Sequence, residues 1–331
     1  MSALKRFRYR LEELGCRLVG AVLPRLSRRA CVRLAEVLGA AAYRLDSRGR
    51  AVALANLESV FGARYDRLQR EEIARCSYQN FARTMLDLFW AVRLNRVNWQ
   101  EWMKVEGFDA VRERLAQEGR GTVLMGVHQG NWEWGSLAAG FLEFGNILVA
   151  ESFKNPRLTE IFRDHRQHSG QTLIDQENSL LKMLRAVKRR GATGMLIDLN
   201  LRPNQAATVI EAFGPDGLKM CVPLLHAVLA QHADALLIPV ETQPEPNGIC
   251  RIIAHPAVEL PQGAEVSEIA QRCWDAFEPI IRGRPESYLW AYKHFRYRPH
   301  AAPVGRYPAY SNESGKFEKL LRSQERASAR K

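Results

Sequence analysis

Residues 126–135 read GVHQGNWEWG and join a predicted buried strand to a predicted helix. The apolar run Thr122–Val127 ends directly in His128, Gly130 permits a tight turn, and Asn131 is a suitable N-cap for the helix that follows. The functional side chains of a strand–turn–helix unit gather at the carboxyl end of its strand. The stretch therefore predicts an α/β fold with a site at this turn.

Short apolar runs and amphipathic segments alternate on both sides of this stretch, from about residue 101. Strands are also predicted over 146–150, 171–174, 192–198, 208–213, 235–240 and 250–255. Helices are predicted over 131–144, 156–168, 178–190, 218–231 and 266–282. This order predicts a central, largely parallel mixed sheet flanked by helices.

The first hundred residues are predicted to be helical, because apolar residues recur there at spacings of three and four. The predicted helices are 8–23, 28–43, 48–61 and 67–93. The first would present Leu11, Leu14, Leu18 and Val22 on one face. The second would bury Leu34, Val37, Leu38 and Ala41. Two interpretations stay open, ordinary core-facing helices or a helix lying in a membrane interface.

Charge and composition predict three regions. The chain has 331 residues and a formal charge of +12, and residues 1–50 carry +8 while residues 293–331 carry +7. The 46% hydrophobic and 25% charged content excludes a disordered protein. We therefore expect a helical, membrane-associating region over 1–100, an α/β domain over 101–300 and a basic, poorly ordered tail over 301–331. Such basic ends favour contact with an anionic surface: phospholipid headgroups, a phosphorylated glycolipid or nucleic acid.

His128 and Glu133 are the candidate catalytic residues. Glu133 falls in the first turn of the predicted helix, so its carboxylate is expected to reach His128 and to hold one ring nitrogen as a hydrogen-bond donor. The other ring nitrogen is then free to act as a general base for a hydroxyl. The alternative is that His128 caps a turn and that Glu133 is only a favourable first-turn residue. No metal or other cofactor is expected, because the sequence has neither H-E-x-x-H nor C-x-x-C.

The segment HQGNWEWG at 128–135 resembles the strand-H-x-G-N-W-E/D-helix signature of the bacterial lipid A biosynthesis acyltransferases, the late lauroyl/myristoyl transferase family. Other blocks of that family follow in the same order. They are RAVALANLE at 50–58 with Phe61, Asn155-Pro156 followed by arginine and glycine, MLID at 195–198, AFG at 212–214 and WAYKHFRYRP at 290–299. The resemblance covers roughly residues 15 to 300 and implies a glycerolipid-acyltransferase-like fold for the α/β body.

The resemblance implies a membrane-associated O-acyltransferase at the cytoplasmic face of the inner membrane. The implied donor is a fatty acyl thioester of acyl-carrier protein or coenzyme A, the implied acceptor is a hydroxyl of a lipid A precursor or related glycolipid, and anionic inner-membrane lipids are further partners. His128 is then the base and Glu133 orients it. The implied substrate-binding residues are Asn131, Arg163, Arg166 and Asp198, with Arg166 the best choice for gripping a phosphate.

The sequence also departs from the family in one block. Glu151 stands about where the family has an arginine before the N-P pair, and Lys154 is the cation available to replace it. The FPEG motif of glycerol-phosphate acyltransferases is absent, which argues against phosphatidic-acid synthesis. The apolar residues Phe141, Leu142 and Phe144 are available to line a groove for an acyl chain.

Three other functions stay open at this point. The first is an acyltransferase for another lipid acceptor, a lysophospholipid or an aminolipid. The second is a nucleic-acid-binding protein, which would explain the basic pI and the cations interleaved with aromatic residues over 292–298. No nucleic-acid-binding motif accompanies them, so no nucleic-acid partner is expected. The third is a catalytically idle membrane scaffold of the same fold.

Overall fold

The computed structural model describes residues 3–144, 147–150, 153–175, 179–214 and 217–328. The helices are α1 Ala3–Val22, α2 Arg28–Leu45, α3 Ser47–Phe61, α4 Arg67–Trp90, α5 Phe108–Glu118, α6 Trp132–Phe141, α7 Pro156–Gln167, α8 Ser179–Lys188, α9 Leu225–Ala233, α10 Val266–Gly283 and α11 Gly315–Ser328. The strands are β1 Met103–Glu106, β2 Thr122–Gly126, β3 Ile147–Ala150, β4 Thr172–Asp175, β5 Ala192–Leu196, β6 Ala207–Ala212, β7 Leu218–Pro223, β8 Leu236–Pro244, β9 Cys250–Ala254, β10 Tyr297–Arg298 and β11 Asn312–Glu313.

A seven-stranded sheet in the order β1-β9-β8-β2-β5-β3-β4 forms the centre of the described chain. Strands β8, β2, β5, β3 and β4 run parallel to one another, and β9 joins β8 in antiparallel orientation with β1 parallel to it. The predicted α/β class, with a largely parallel mixed sheet between helices, is therefore confirmed. The shared direction of the five parallel strands brings their carboxyl ends to one edge, where a site is expected.

The sheet is covered on both faces, because alternate residues of β2 enter two different cores. Val123 and Met125 pack with α3, α8, α9 and α10, whereas Leu124 packs with α4 and α6. The N-terminal helices contribute to both cores, through Leu57 to the first and Leu88 to the second. Helices α3 and α4 therefore pack on the sheet. Within the described residues, every helix is too short or too polar to span a bilayer.

The four predicted N-terminal helices are confirmed with small shifts of their ends, but the buried face of α2 is different. It buries Cys31, Val32 and Ala35, while Val37 and Leu38 are exposed. Helix α1 leaves its predicted apolar face exposed as well. The periodicity predicted helices correctly, and the neighbouring elements decided which face each one buries.

Two other predictions were wrong in part. The predicted helix 218–231 begins as strand β7, which pairs antiparallel with β6, and only residues 225–233 are helical. A short apolar run suits a strand or a helix equally well, and its pairing decides between them. The tail expected to be poorly ordered contains α11, whose Phe317 is fully buried against β6 and β7.

Candidate active site

His128 is paired with Asp198 at the carboxyl edge of the sheet. The Nδ1 atom of His128 lies 2.8 Å from Asp198 Oδ1, and the backbone N–H of His128 donates to Asp198 Oδ2 at 2.9 Å. Asp198 is fully buried, and the side chain of His128 is 13% exposed. Because Nδ1 is held by the carboxylate, Nε2 is the nitrogen that can accept a proton.

The sheet itself brings these two residues together across 70 positions of sequence. Strands β2 and β5 are parallel neighbours in which Gly126 pairs with Leu196, and His128 and Asp198 each follow two residues later. Burial opposes the charged form of Asp198, but the charge of His128 and its hydrogen bonds outweigh that effect and lower the pKa of Asp198. The carboxylate therefore stays ionised beneath the imidazole.

Glu133 does not hold His128, so that part of the prediction was wrong. It lies in the first turn of α6 and is almost fully buried. There it accepts two hydrogen bonds from Arg166 of α7, at 2.9 Å from Nε and 2.6 Å from Nη2. Packing of α6 against α7 directs the carboxylate to Arg166, and the nitrogen edge of Arg166 that would grip a phosphate is used by Glu133.

Asn131 lies beneath the turn, with no exposed surface. Its side chain caps α6 by accepting from the backbone N–H of Trp134 at 3.1 Å, as the sequence predicts. Its amide donates to Asp87 at 2.8 Å, and Asp87 is in turn bound by the buried Arg28. Asn131 therefore fixes the turn and is placed away from any surface that a substrate would contact.

Helix α4 holds the turn from below through a polar stripe. Asn80 and Thr84 both donate to the carbonyl of Gly130 at 2.9 Å, and Ser77 donates to the carbonyl of Tyr288. Gly130 has φ +60°, and a Cβ there would lie 1.9 Å from the carbonyl oxygen of Thr242. Only glycine fits this position, both for its backbone conformation and for the space around it.

A second loop, residues 287–295, closes the site from behind, and its role was not visible in the sequence. The backbone N–H of Leu289 donates to the carbonyl of His128 at 2.9 Å. Asn56 of α3 donates to the carbonyls of Trp290 and Tyr292, each at 2.8 Å. The basic and aromatic block at 290–299 marked this segment, but the pattern gave no sign that His294 would be buried.

An apolar cavity of about 790 Å³ opens beside His128. Its described lining includes His128, Glu133 and Arg166, together with apolar residues from both faces of the sheet. Those on the α6 face include Phe108, Leu124, Gly135, Ala139, Leu148 and Gly194, and those near α8 and α9 include Leu180, Leu199, Leu201, Leu225 and Val228. The volume and lining suit a long apolar ligand whose reacting end lies at His128.

Several residues that the sequence indicated lie outside this cavity. Arg163 precedes Arg166 on α7 but is not part of the lining, and the predicted lining residues Phe141, Leu142 and Phe144 are absent from it too. Phe141 instead stacks on Trp99. Lys154 lies at the start of α7, where its carbonyl accepts from Tyr9, and Glu151 is outside the described residues.

Two further features bear on what the site can bind. A larger open groove of about 1260 Å³ lies between β6, α10 and α11, but it contains none of the predicted site residues, and most of the residues that line it are polar or charged. In the part of the chain that the structure describes, no group of three or more His, Cys, Asp or Glu is arranged to hold a metal ion. The His128 cavity is therefore the candidate active site.

Comparison with known proteins gives the same family as the resemblance. The family model described as bacterial lipid A biosynthesis acyltransferase matches residues 6–297. The chain is also 25% identical over 312 residues to the lipid A biosynthesis lauroyltransferase of Escherichia coli (strain K12), which covers 91% of this chain and 96% of that protein. The match spans the N-terminal helices, the sheet and both loops of the site. The chain is thus an acyltransferase that belongs to the bacterial lipid A biosynthesis acyltransferase family.

Proposed function

We propose that the protein transfers a fatty acyl group from an acyl-carrier-protein thioester to a hydroxyl of a lipid A precursor, with His128 as the general base and Asp198 as the residue that orients it. The observation that carries the proposal is the His128–Asp198 pair, whose histidine lines an apolar cavity. A base in the wall of a cavity lined by leucine, glycine and phenylalanine suits attack of a hydroxyl on the carbonyl of a long-chain acyl group.

The chemistry follows from the free nitrogen of the imidazole. His128 Nε2 takes the proton of the acceptor hydroxyl as that oxygen attacks the thioester carbonyl. When the tetrahedral intermediate collapses, the carbon–sulfur bond breaks and the imidazolium returns its proton to the thiolate. The products are an ester and a free thiol, and no acyl-enzyme is required. The amino end of α6 lies at the same turn and supplies backbone N–H groups for the oxyanion.

The ion pair of Glu133 and Arg166 forms the wall of the cavity next to the base. Both side chains line it, and Arg166 keeps 20% of its side chain exposed. We assign this pair to shaping the part of the cavity next to His128. Arg163 and Asn131 are not among the described residues that line the cavity.

Helix α1 supplies the proposed membrane contact at the cytoplasmic face of the inner membrane. Its large apolar residues at spacings of three and four are all exposed, namely Leu4, Phe7, Leu11, Leu14, Leu18 and Val22, by 44–79%. The basic residues of the same helix suit anionic headgroups. The hydroxyl of Tyr9 donates to the carbonyl of Lys154 at 2.8 Å, next to Phe153 of the cavity lining. A membrane docked on α1 therefore lies close to the cavity.

The enzymatic part is tested with His128→Ala, assayed for transfer of labelled acyl groups from acyl-carrier protein to a lipid A precursor. Loss of a general base costs about a hundredfold to ten-thousandfold in rate. Near wild-type transfer by a folded variant would contradict the proposal. The same assay with coenzyme A thioesters and with lysophospholipid acceptors decides the donor and the acceptor.

The membrane part is tested with Leu11, Leu14 and Leu18 changed together to serine. Since burying one leucine is worth about 1.5–3 kcal/mol, half-embedding three of them predicts that the triple variant binds anionic vesicles on the order of a hundredfold more weakly. The matched control changes Val97 and Val304 to serine, because both are fully exposed elsewhere on the chain. Equal vesicle binding by the triple variant and the wild type would refute the role of α1.

A further inference from the structure

Exposed apolar side chains mark the place where the His128 cavity opens to the surface. Phe153 and Leu180 both line the cavity, and each keeps 39% of its surface exposed. They are the most exposed large apolar residues of the described lining. Leu181, which follows Leu180 on α8, does not line the cavity and is 57% exposed. Apolar surface therefore extends from the cavity wall to the outside of the molecule.

The parallel sheet brings this opening to the same edge as the proposed base. Phe153 follows strand β3, and the amino end of α8 with Leu180 and Leu181 follows strand β4. Strands β2, β5, β3 and β4 are parallel neighbours, so the segments after their carboxyl ends all lie at the edge where His128 follows β2. The exposed apolar residues and His128 are therefore at one end of the sheet.

A lysine follows each of the two apolar segments. Lys154 comes directly after Phe153 and Lys182 directly after Leu181, and both lysines are exposed. Helix α8 contains cations and no acidic residue. Exposed apolar side chains beside lysines suit the boundary of an anionic bilayer, where the apolar groups enter the acyl region and the ammonium groups meet the headgroups.

Helix α1 is fixed next to this opening. The hydroxyl of Tyr9 donates to the carbonyl of Lys154 at 2.8 Å, and the amide of Asn155 donates to the carbonyl of Tyr9 at 3.0 Å. Tyr9 is buried, whereas Phe7 and Leu11 on the outer side of the same helix are exposed. The membrane contact proposed for α1 thus lies about one helix diameter, ~10 Å, from the Phe153 segment.

We propose that Phe153, Lys154, Leu180, Leu181 and Lys182 form a membrane-binding mouth, through which the lipid acceptor passes from an anionic bilayer directly into the His128 cavity. This inference rests on the proposed function, because it names the surface by which a membrane-bound acceptor reaches the base. Moving a hydrocarbon chain through water costs free energy for every methylene group that is exposed. Passage through a mouth embedded in the bilayer avoids that exposure.

The experiment is Leu181→Asp in the full chain. Leu181 is outside the cavity lining, and an aspartate in the first turn of a helix interacts favourably with the helix dipole, so the fold should be kept. Vesicles of phosphatidylethanolamine and phosphatidylglycerol are the probe. We expect the affinity for these vesicles to fall about tenfold, the order expected for withdrawing one leucine from an apolar environment and adding a negative charge at an anionic surface.

Kinetics then separate the bilayer from the acyl donor as the occupant of the mouth. With a lipid A precursor in the same vesicles, the apparent KM for the precursor should rise with the loss of vesicle binding. At saturating vesicles the KM for the soluble acyl-carrier-protein thioester should stay unchanged. A raised donor KM with unchanged vesicle binding would overturn the inference, because the mouth would then dock the carrier protein.

The matched control is Leu68→Asp. Leu68 is 75% exposed and lies in the first turn of α4, outside the described cavity lining, so the control adds the same charge at an equivalent helix position. Equal vesicle binding by Leu181→Asp and the wild type, or an equal loss in Leu68→Asp, would also overturn the inference. Vesicle binding does not depend on turnover, so failure of the proposed function, seen as full activity of His128→Ala, is a separate result.

Discussion

Asp198→Asn is the sharpest test of how the site is built. Two N–H groups of His128, the backbone N–H and Nδ1–H, point at the two oxygens of Asp198 at 2.9 and 2.8 Å. Asparagine offers one oxygen and one amide group in their place. If the asparagine oxygen accepts from the backbone N–H of His128, the asparagine NH2 group faces Nδ1. Nδ1 must then accept a hydrogen bond, and the ring proton moves to Nε2. The nitrogen that must act as the base is thereby blocked.

The expected loss follows from that change of tautomer. General-base catalysis contributes about a hundredfold to ten-thousandfold, and a tautomer error of this kind removes most of it, so kcat should fall by on the order of a thousandfold or more. Stability should change little by comparison, because the substitution also removes a buried charge. Thermal unfolding and circular dichroism separate a catalytic loss from a folding defect.

The assay is acyl transfer from an acyl-carrier-protein thioester under saturating substrates, with Glu133→Gln as the contrasting variant. Glu133 binds Arg166 and makes no contact with the His128–Asp198 pair, so its substitution should lower kcat far less than Asp198→Asn does. If folded Asp198→Asn kept more than about a tenth of the wild-type kcat while folded Glu133→Gln lost more than Asp198→Asn did, the assignment made from the structure would be refuted and the one made from sequence spacing restored.

Two other predictions address stability and chain length. Both ring nitrogens of His226 lack a hydrogen-bond partner among the described residues, and burial lowers the pKa of His226 to about 4 from 6.5. Below pH 6.5 the unfolded chain therefore binds a proton that the folded chain does not. The contribution of His226 to the free energy of unfolding is fully present above pH 6.5 and falls by about 3 kcal/mol as the pH drops to 4. Urea unfolding of His226→Leu at several pH values should show a correspondingly smaller loss of stability at low pH, and a pH dependence identical to that of the wild type would contradict this. Gly194 lines the cavity, and a Cβ there would lie 2.7 Å from the Cδ2 atom of Leu148. Gly194→Leu should therefore shift the preference among competing acyl thioesters toward shorter chains, and an unchanged preference would show that the acyl chain does not pass Gly194.

The sequence by itself determined most of the elements and the place of His128 in the fold. The four N-terminal helices and the two strands that lead to His128 and to Asp198 follow from the spacing of apolar residues, which is set by local backbone geometry. Asn131 as a helix cap and Gly130 as a tight turn are also local properties, so they too were predictable. The order of several short blocks then indicated the family, which the comparison confirmed.

Only the tertiary structure decided which side chains meet. Glu133 is five residues from His128 and Asp198 is seventy, yet the adjacency of β2 and β5 gives Asp198 the contact, while the packing of α6 on α7 turns Glu133 toward Arg166. The tertiary structure also decided that residues 218–223 form strand β7, that the apolar face of α1 is exposed and that His294 is buried. The physical reason is that sequence periodicity specifies which face of an element is apolar, whereas the identity of the residues packed against it depends on how strands order and helices dock.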